Sequence, residues 1–209
     1  MDNNTTIYLL LQLFSVPLLL FLFVHCTYHS INFLLQIFSI VAILNNINES
    51  VLPIYYNDQV MSQAYGTTGC TVSAIFGHYI PIVLNLLAAC MGFNVWLLIV
   101  HRSKYKERQL LPWYCLFSFG VPLVMTIIAI ILLRNEPHWA ANSRRYCCDF
   151  QHTSITTGTF AIPMLAGGAA GVLFTMHTAI HLVQYYYKKR QNSNSSGASH
   201  RTSIINDLR

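Results

Sequence analysis

The chain has 209 residues, 54% of them hydrophobic and only 9% charged, with a net charge of +5 and a mean hydropathy of +0.46. A soluble domain is about a quarter charged, so these values exclude an ordinary soluble enzyme and point to an integral membrane protein. The net positive charge is not a nucleic-acid signature, because the basic residues gather at the ends of apolar runs rather than along one face.

Five apolar runs of spanning length follow one another. The first, residues 7–24, is preceded by Asp2 and by no Lys or Arg, and no small-residue cleavage site follows it. It reads as a retained span rather than a signal peptide, with Pro17 inside. A turn over 25–30 leads to the second span, 31–47, which ends at Asn45 and Asn46. A polar loop over 48–69 then carries Glu49 and Asp58 and no basic residue.

The third span, 70–101, is the one around which the others are arranged. It opens at Cys70, holds His78, Tyr79, Asn85 and Asn94, and runs into the basic cluster HRSKYKERQ. A helix of this length exceeds the roughly 30 Å hydrocarbon core, so it tilts or extends beyond the lipid. The fourth span, 111–133, has Pro112 where a helix starts and Pro122 where a kink is expected. The loop over 134–154 contains Cys147 and Cys148. In the fifth span, 155–187, Gly167 and Gly171 have the spacing of a helix-packing surface. Lys188, Lys189 and Arg190 close it, and the Ser-rich residues 191–209 read as a disordered tail, so the bundle occupies 1–190.

With the N-terminus outside, nine basic residues lie inside and three (Arg134, Arg144, Arg145) outside. This is the positive-inside pattern, and it also places the sequons at Asn3, Asn4 and Asn48 on the glycosylated side. Cys70, Cys147 and Cys148 then share the oxidising side, where a bond from Cys70 to either loop cysteine ties that loop onto span three.

The polar residues of the spans carry the functional candidates. His78 and Asn85 share a helix face, and His78 with Tyr79 can line an outward-facing pocket, near Thr156, Thr157 and Thr159 at the top of span five. The ligand-binding expectation is His78, Tyr79 and Thr159. His25 with His29, and His177 with His181, have the four-residue spacing that points two imidazoles the same way. A histidine-liganded haem or metal oxidoreductase is therefore one alternative, and a non-signalling structural membrane protein another. No complete ligand signature, phosphate loop or nucleophile motif appears, and the expectation is no enzyme and no cofactor. The expected spans contain no Asp, Glu, Lys or Arg, which argues against an ion-coupled pump.

The stretches LNLLAACMGFNVWLLIVHR, PWYCLFSFGVPLVMTIIAIILL and YCCDF, in that order, resemble the first five helices of a G-protein-coupled receptor. The likeness is to the fungal receptors related to the slime-mould cyclic-AMP receptor and to the secretin-like group. It is not to the rhodopsin group, since His101–Arg102–Ser103 stands where an acidic residue–Arg–Tyr would be. The resemblance implies a plasma-membrane receptor with a disulfide at Cys70. It also implies a cytoplasmic surface for a heterotrimeric G protein, formed by Arg102, Lys104, Lys106, Arg108, Lys188, Lys189 and Arg190. Measured against that family, the sequence stops just after span five, before helices six and seven, and its tail corresponds to the start of a third intracellular loop.

Overall fold

A computed structural model describes residues 3–29, 32–56, 59–64, 66–101, 107–135, 142–143, 148–150 and 154–206. The order is α1 (Asn3–His29), α2 (Phe33–Tyr56), a one-turn α3 (Val60–Gln63), α4 (Thr68–Ile99) and α5 (Glu107–Leu133). A hairpin of β1 (Asn142–Ser143) and β2 (Cys148–Asp149) follows, antiparallel, with Asn142 opposite Asp149. The last span enters through α6 (Ser154–Thr156), passes a π-helical turn at Thr157–Ala161, and continues as α7 (Ile162–Asn206). Among the described residues, five helical stretches are long and apolar enough to cross a bilayer, one in each of the expected regions. The chain is an all-α, multi-pass integral membrane bundle.

Helix starts are set by side chains that satisfy the first free N–H groups. Asn32 Oδ1 accepts from the Leu35 N–H at 3.1 Å and caps α2. Thr67 Oγ1 accepts from the Cys70 N–H at 3.2 Å and donates to the Ala64 carbonyl at 2.7 Å, which joins α3 to α4. The turn between them needs Gly66, whose φ of +73° is disfavoured for side chains with a Cβ.

Helix α4 packs against α2, α5, α7 and β2, and is the centre of the bundle. Its outer half lies in a buried cluster with Leu52, Ala129 and Phe150, and its inner half in another with Leu34, Val41 and Tyr114. Apolar burial is not what holds such helices together in lipid, where close packing and hydrogen bonds decide. At the α4–α7 seam the decisive residues are small. A Cβ on Gly167 would stand 2.6 Å from Asn85 Nδ2, and one on Gly171 would stand 3.5 Å from Ala89 Cα. The closeness lets Asn85 Nδ2 donate to the Met164 carbonyl of α7 at 2.7 Å.

Two expectations need correction. Residues 48–56 are not loop but the outer end of α2, so Glu49 lies within a spanning helix and the spans are not free of carboxylates. The physical reason is a matched polar stripe on α1. Glu49 accepts hydrogen bonds from Tyr8 Oη at 3.0 Å, Gln12 Nε2 at 2.7 Å and Asn45 Nδ2 at 2.9 Å. Asn46 donates to Ser15 Oγ in the same seam. Helical backbone also continues to Asn206, through most of the expected tail. A helix already running through the bilayer needs no new nucleus, so it propagates into residues that would not start one.

Candidate functional site

The outer end of α4 is tied down by a disulfide between Cys70 and Cys148, whose Cα atoms are 5.3 Å apart across 78 residues of sequence. Cys148 is thus the loop cysteine engaged; Cys147 lies outside the described residues. The bond belongs on the oxidising side of the membrane. It lays β2 and Phe150 over the top of α4, and beneath them a cavity of about 400 Å³ opens. Its walls are Asn48 and Glu49 of α2, Ser73, Gly77 and Pro81 of α4, Cys148 to Phe150, and Thr156, Thr157, Phe160 and Ala161 of the last span.

The π-helical turn supplies Thr157, Phe160 and Ala161 to that wall. Such a turn carries an extra residue and turns side chains away from the regular helical face, and it is frequent at functional sites. Glu49 gives the cavity a carboxylate whose three hydrogen-bond donors are all neutral. Asp149 adds a second acid, its Oδ1 accepting from the Phe150 N–H at 2.9 Å.

The expected ligand residues do not all reach this space. His78 is buried beneath it, its ring 4.8 Å from that of Phe150 and 5.3 Å from that of Phe160, both in the cavity wall. Neither imidazole nitrogen has a hydrogen-bond partner. Tyr79 points elsewhere: its hydroxyl donates to the Phe119 carbonyl at 3.4 Å and it lines a lipid-facing groove. Thr159 is buried with its hydroxyl on the Ile155 carbonyl at 2.9 Å, while its neighbours Thr156 and Thr157 line the cavity. Glu49, Asp149, Phe150 and Phe160 line the cavity but are not among the residues the sequence marks as ligand-binding. The signal available for Glu49 was the pair of stripes Tyr8–Gln12–Ser15 and Asn45–Asn46–Glu49, each spaced to lie on one helix face.

At the cytoplasmic end, Arg102, Lys104 and Lys106 lie outside the described residues. The Arg108 guanidinium sits 5.4 Å from the centroid of the Phe33 ring, a cation–π contact that sets it at the foot of α2. Lys188 is exposed, and Lys189 and Arg190 continue α7. Trp96 donates through Nε1 to His177 Nδ1 at 2.9 Å, and His101 lies edge-on to the same indole at 4.7 Å. Both histidines are thus engaged with an aromatic cluster completed by Phe93 and Phe174. Among the described residues no three His, Cys, Asp or Glu side chains come close enough to hold a metal ion.

The sequence matches the family described as 7 transmembrane receptor (Secretin family) over residues 5–205. The chain belongs to this receptor family. A C-X-C chemokine receptor type 2 from Oryctolagus cuniculus is 31% identical over 96 residues, 45% of this chain and 26% of that receptor. The chain therefore spans about a quarter of the length of that curated relative in the aligned region. For a secretin-family receptor the family match runs from α1 through nearly all of α7, so every described span falls within it. The oxidoreductase and purely structural alternatives are not favoured by this membership.

Proposed function

We propose that the chain acts as a transmembrane signalling receptor of the plasma membrane, receiving an extracellular ligand and engaging a heterotrimeric G protein. The observation that carries the reading is the outward cavity roofed by the Cys70–Cys148 hairpin, in a member of a seven-helix receptor family. Its action is ligand-biased helix rearrangement rather than bond chemistry, with no cofactor and no nucleic-acid partner. The ligand enters against Glu49, Thr157 and Phe160, and His78 responds from beneath through Phe150 and Phe160. Tyr79 and Thr159 support that region of α4 and the last span through their backbone hydrogen bonds.

The G protein meets the cytoplasmic surface formed by Arg102, Lys104, Lys106, Arg108, Lys188, Lys189 and Arg190. Clustered cations suit an acidic docking surface and speed its encounter. Within the family, the stretches quoted above support kinship with the fungal receptors related to the slime-mould cyclic-AMP receptor. The test uses the full chain in nanodiscs with a panel of GDP-loaded heterotrimeric G proteins, the nucleotide being removed enzymatically for the retention measurement. At least one should be retained and should exchange nucleotide faster, and changing Arg102, Lys104, Lys106 and Arg108 together to Ala should abolish both effects. Retention of none of the panel removes the coupling part of the proposal.

A further inference from the structure

Glu49 belongs to a spanning helix and at the same time lines the outward cavity of about 400 Å³. An ionisable side chain inside a span is costly unless it is paired, and an unpaired one marks a functional position. Its oxygens are well served: Oε2 accepts from Tyr8 Oη and Gln12 Nε2, and Oε1 accepts from Asn45 Nδ2. All three donors are neutral, so the oxygens are satisfied and the charge is not. Among the described residues no Lys, Arg or His lines the cavity. Beside it in sequence, Asn48 commits its Nδ2 to the Ser73 carbonyl at 3.4 Å, which leaves the acceptor oxygen of that amide. Behind the wall, the Ser73 hydroxyl and both His78 nitrogens are buried without hydrogen-bond partners. Such unmet polarity is rare in native packing and accompanies functional sites.

We propose that the outward cavity takes a ligand bearing a protonated amine, with its ammonium on the Glu49 carboxylate and an apolar group against Phe160. The inference rests on the receptor reading above for the side of the membrane that the cavity faces. An ammonium has three N–H donors and no acceptor, so it suits a lining in which the Glu49 carboxylate and the Asn48 amide oxygen are both acceptors. It also brings the counter-charge that Glu49 lacks, and a charge-assisted bond gains strength where water is partly excluded. An anion meets like charge at Glu49 and no cation in the described lining, and a neutral ligand leaves the carboxylate as it was. In the same wall Phe160 presents a ring whose negative face attracts a cation, and Pro81 and Ala161 add apolar surface. The volume lies toward the small end for ligand sites, which suits a one-ring monoamine or a single basic side chain of a peptide. Both sources share the ammonium.

The experiment measures binding of phenethylamine to the full chain in phosphatidylcholine nanodiscs by saturation-transfer NMR, with empty nanodiscs subtracted. Phenethyl alcohol is the uncharged counterpart, and the amine should bind at least about tenfold more tightly. Glu49→Gln keeps an acceptor oxygen for the α1–α2 seam and should lower amine affinity by about ten- to a hundredfold, with the alcohol unaffected. Phe160→Leu leaves that seam untouched and should lower amine affinity by about two- to fivefold. If Glu49→Gln reduces the yield of folded protein, the amine-to-alcohol ratio of the wild type and Phe160→Leu decide. An acetylated tetrapeptide amide with one lysine beside a phenylalanine separates the two sources: competition assigns a peptide, its absence a free amine, and both support the site. Equal affinity for amine and alcohol, or an amine affinity that Glu49→Gln leaves unchanged, would overturn the proposal. Either result in a chain that still retains a G protein leaves the receptor reading standing. Amine binding by a chain that retains none supports the site and removes the coupling.

Discussion

Two helix seams in this molecule solve the same problem by opposite means. Between α1 and α2, contact is made by polar side chains that meet midway, with Glu49 accepting from Tyr8, Gln12 and Asn45. Between α4 and α7, the side chains are removed: Gly167 and Gly171 let α4 come so close that Asn85 reaches the Met164 carbonyl. In lipid neither seam gains from excluding water, so each needs a specific substitute for the hydrophobic effect. The polar seam depends on chemistry and tolerates small changes of shape, while the glycine seam depends on shape and tolerates almost none.

Substitutions can break that contrast, and the largest effect belongs to the glycine seam. Gly167→Leu drives a branched side chain into Asn85 and Leu86 and should cost about 3 kcal/mol, seen as a lower Tm in nanodiscs or loss of folded protein. Glu49→Leu leaves three donors without their acceptor and should cost about 2 kcal/mol by the same measurement. A smaller effect tests the geometry of the glycine seam. Because the added methyl of Gly167→Ala meets the end of the Asn85 side chain, the double variant with Asn85→Ala should recover about 1 kcal/mol over additivity. The smallest is Glu49→Gln, which keeps an acceptor oxygen in place and should shift stability by less than about 1 kcal/mol. If Glu49→Gln proved as damaging as Glu49→Leu, charge rather than hydrogen bonding would hold α1 to α2.

The two seams also differed in how well they could be read in advance. Gly167 and Gly171 were legible because small residues four apart have few other uses in an apolar span. The polar seam was not, because Asn45, Asn46 and Glu49 look like a helix leaving the membrane until Tyr8 and Gln12 are seen opposite them. Hydropathy is a property of one segment, whereas satisfaction is a property of two. The same reasoning explains the cavity. The oxidising-side cysteines were legible, but the choice of Cys148 depends on how the hairpin lies over Gly77, where its carbonyl would be 3.7 Å from an added Cβ. Phe160 reaches the wall through a π-helical turn that no regular periodicity foretells. His78, expected to line the pocket, lies one layer below the surface of the cavity, its ring against Phe150.

The central claim is that the cavity under the hairpin opens to the outside while the end of α7 at Lys188 lies in the cytoplasm. Thr157→Cys in the cavity wall and Lys188→Cys at the far end test it directly, using a membrane-impermeant thiol reagent on intact cells with the wild-type signal subtracted. The account predicts labelling of the Thr157→Cys chain in intact cells and of the Lys188→Cys chain only after permeabilisation. The reverse pattern would put the cavity on the cytoplasmic side and contradict the receptor reading.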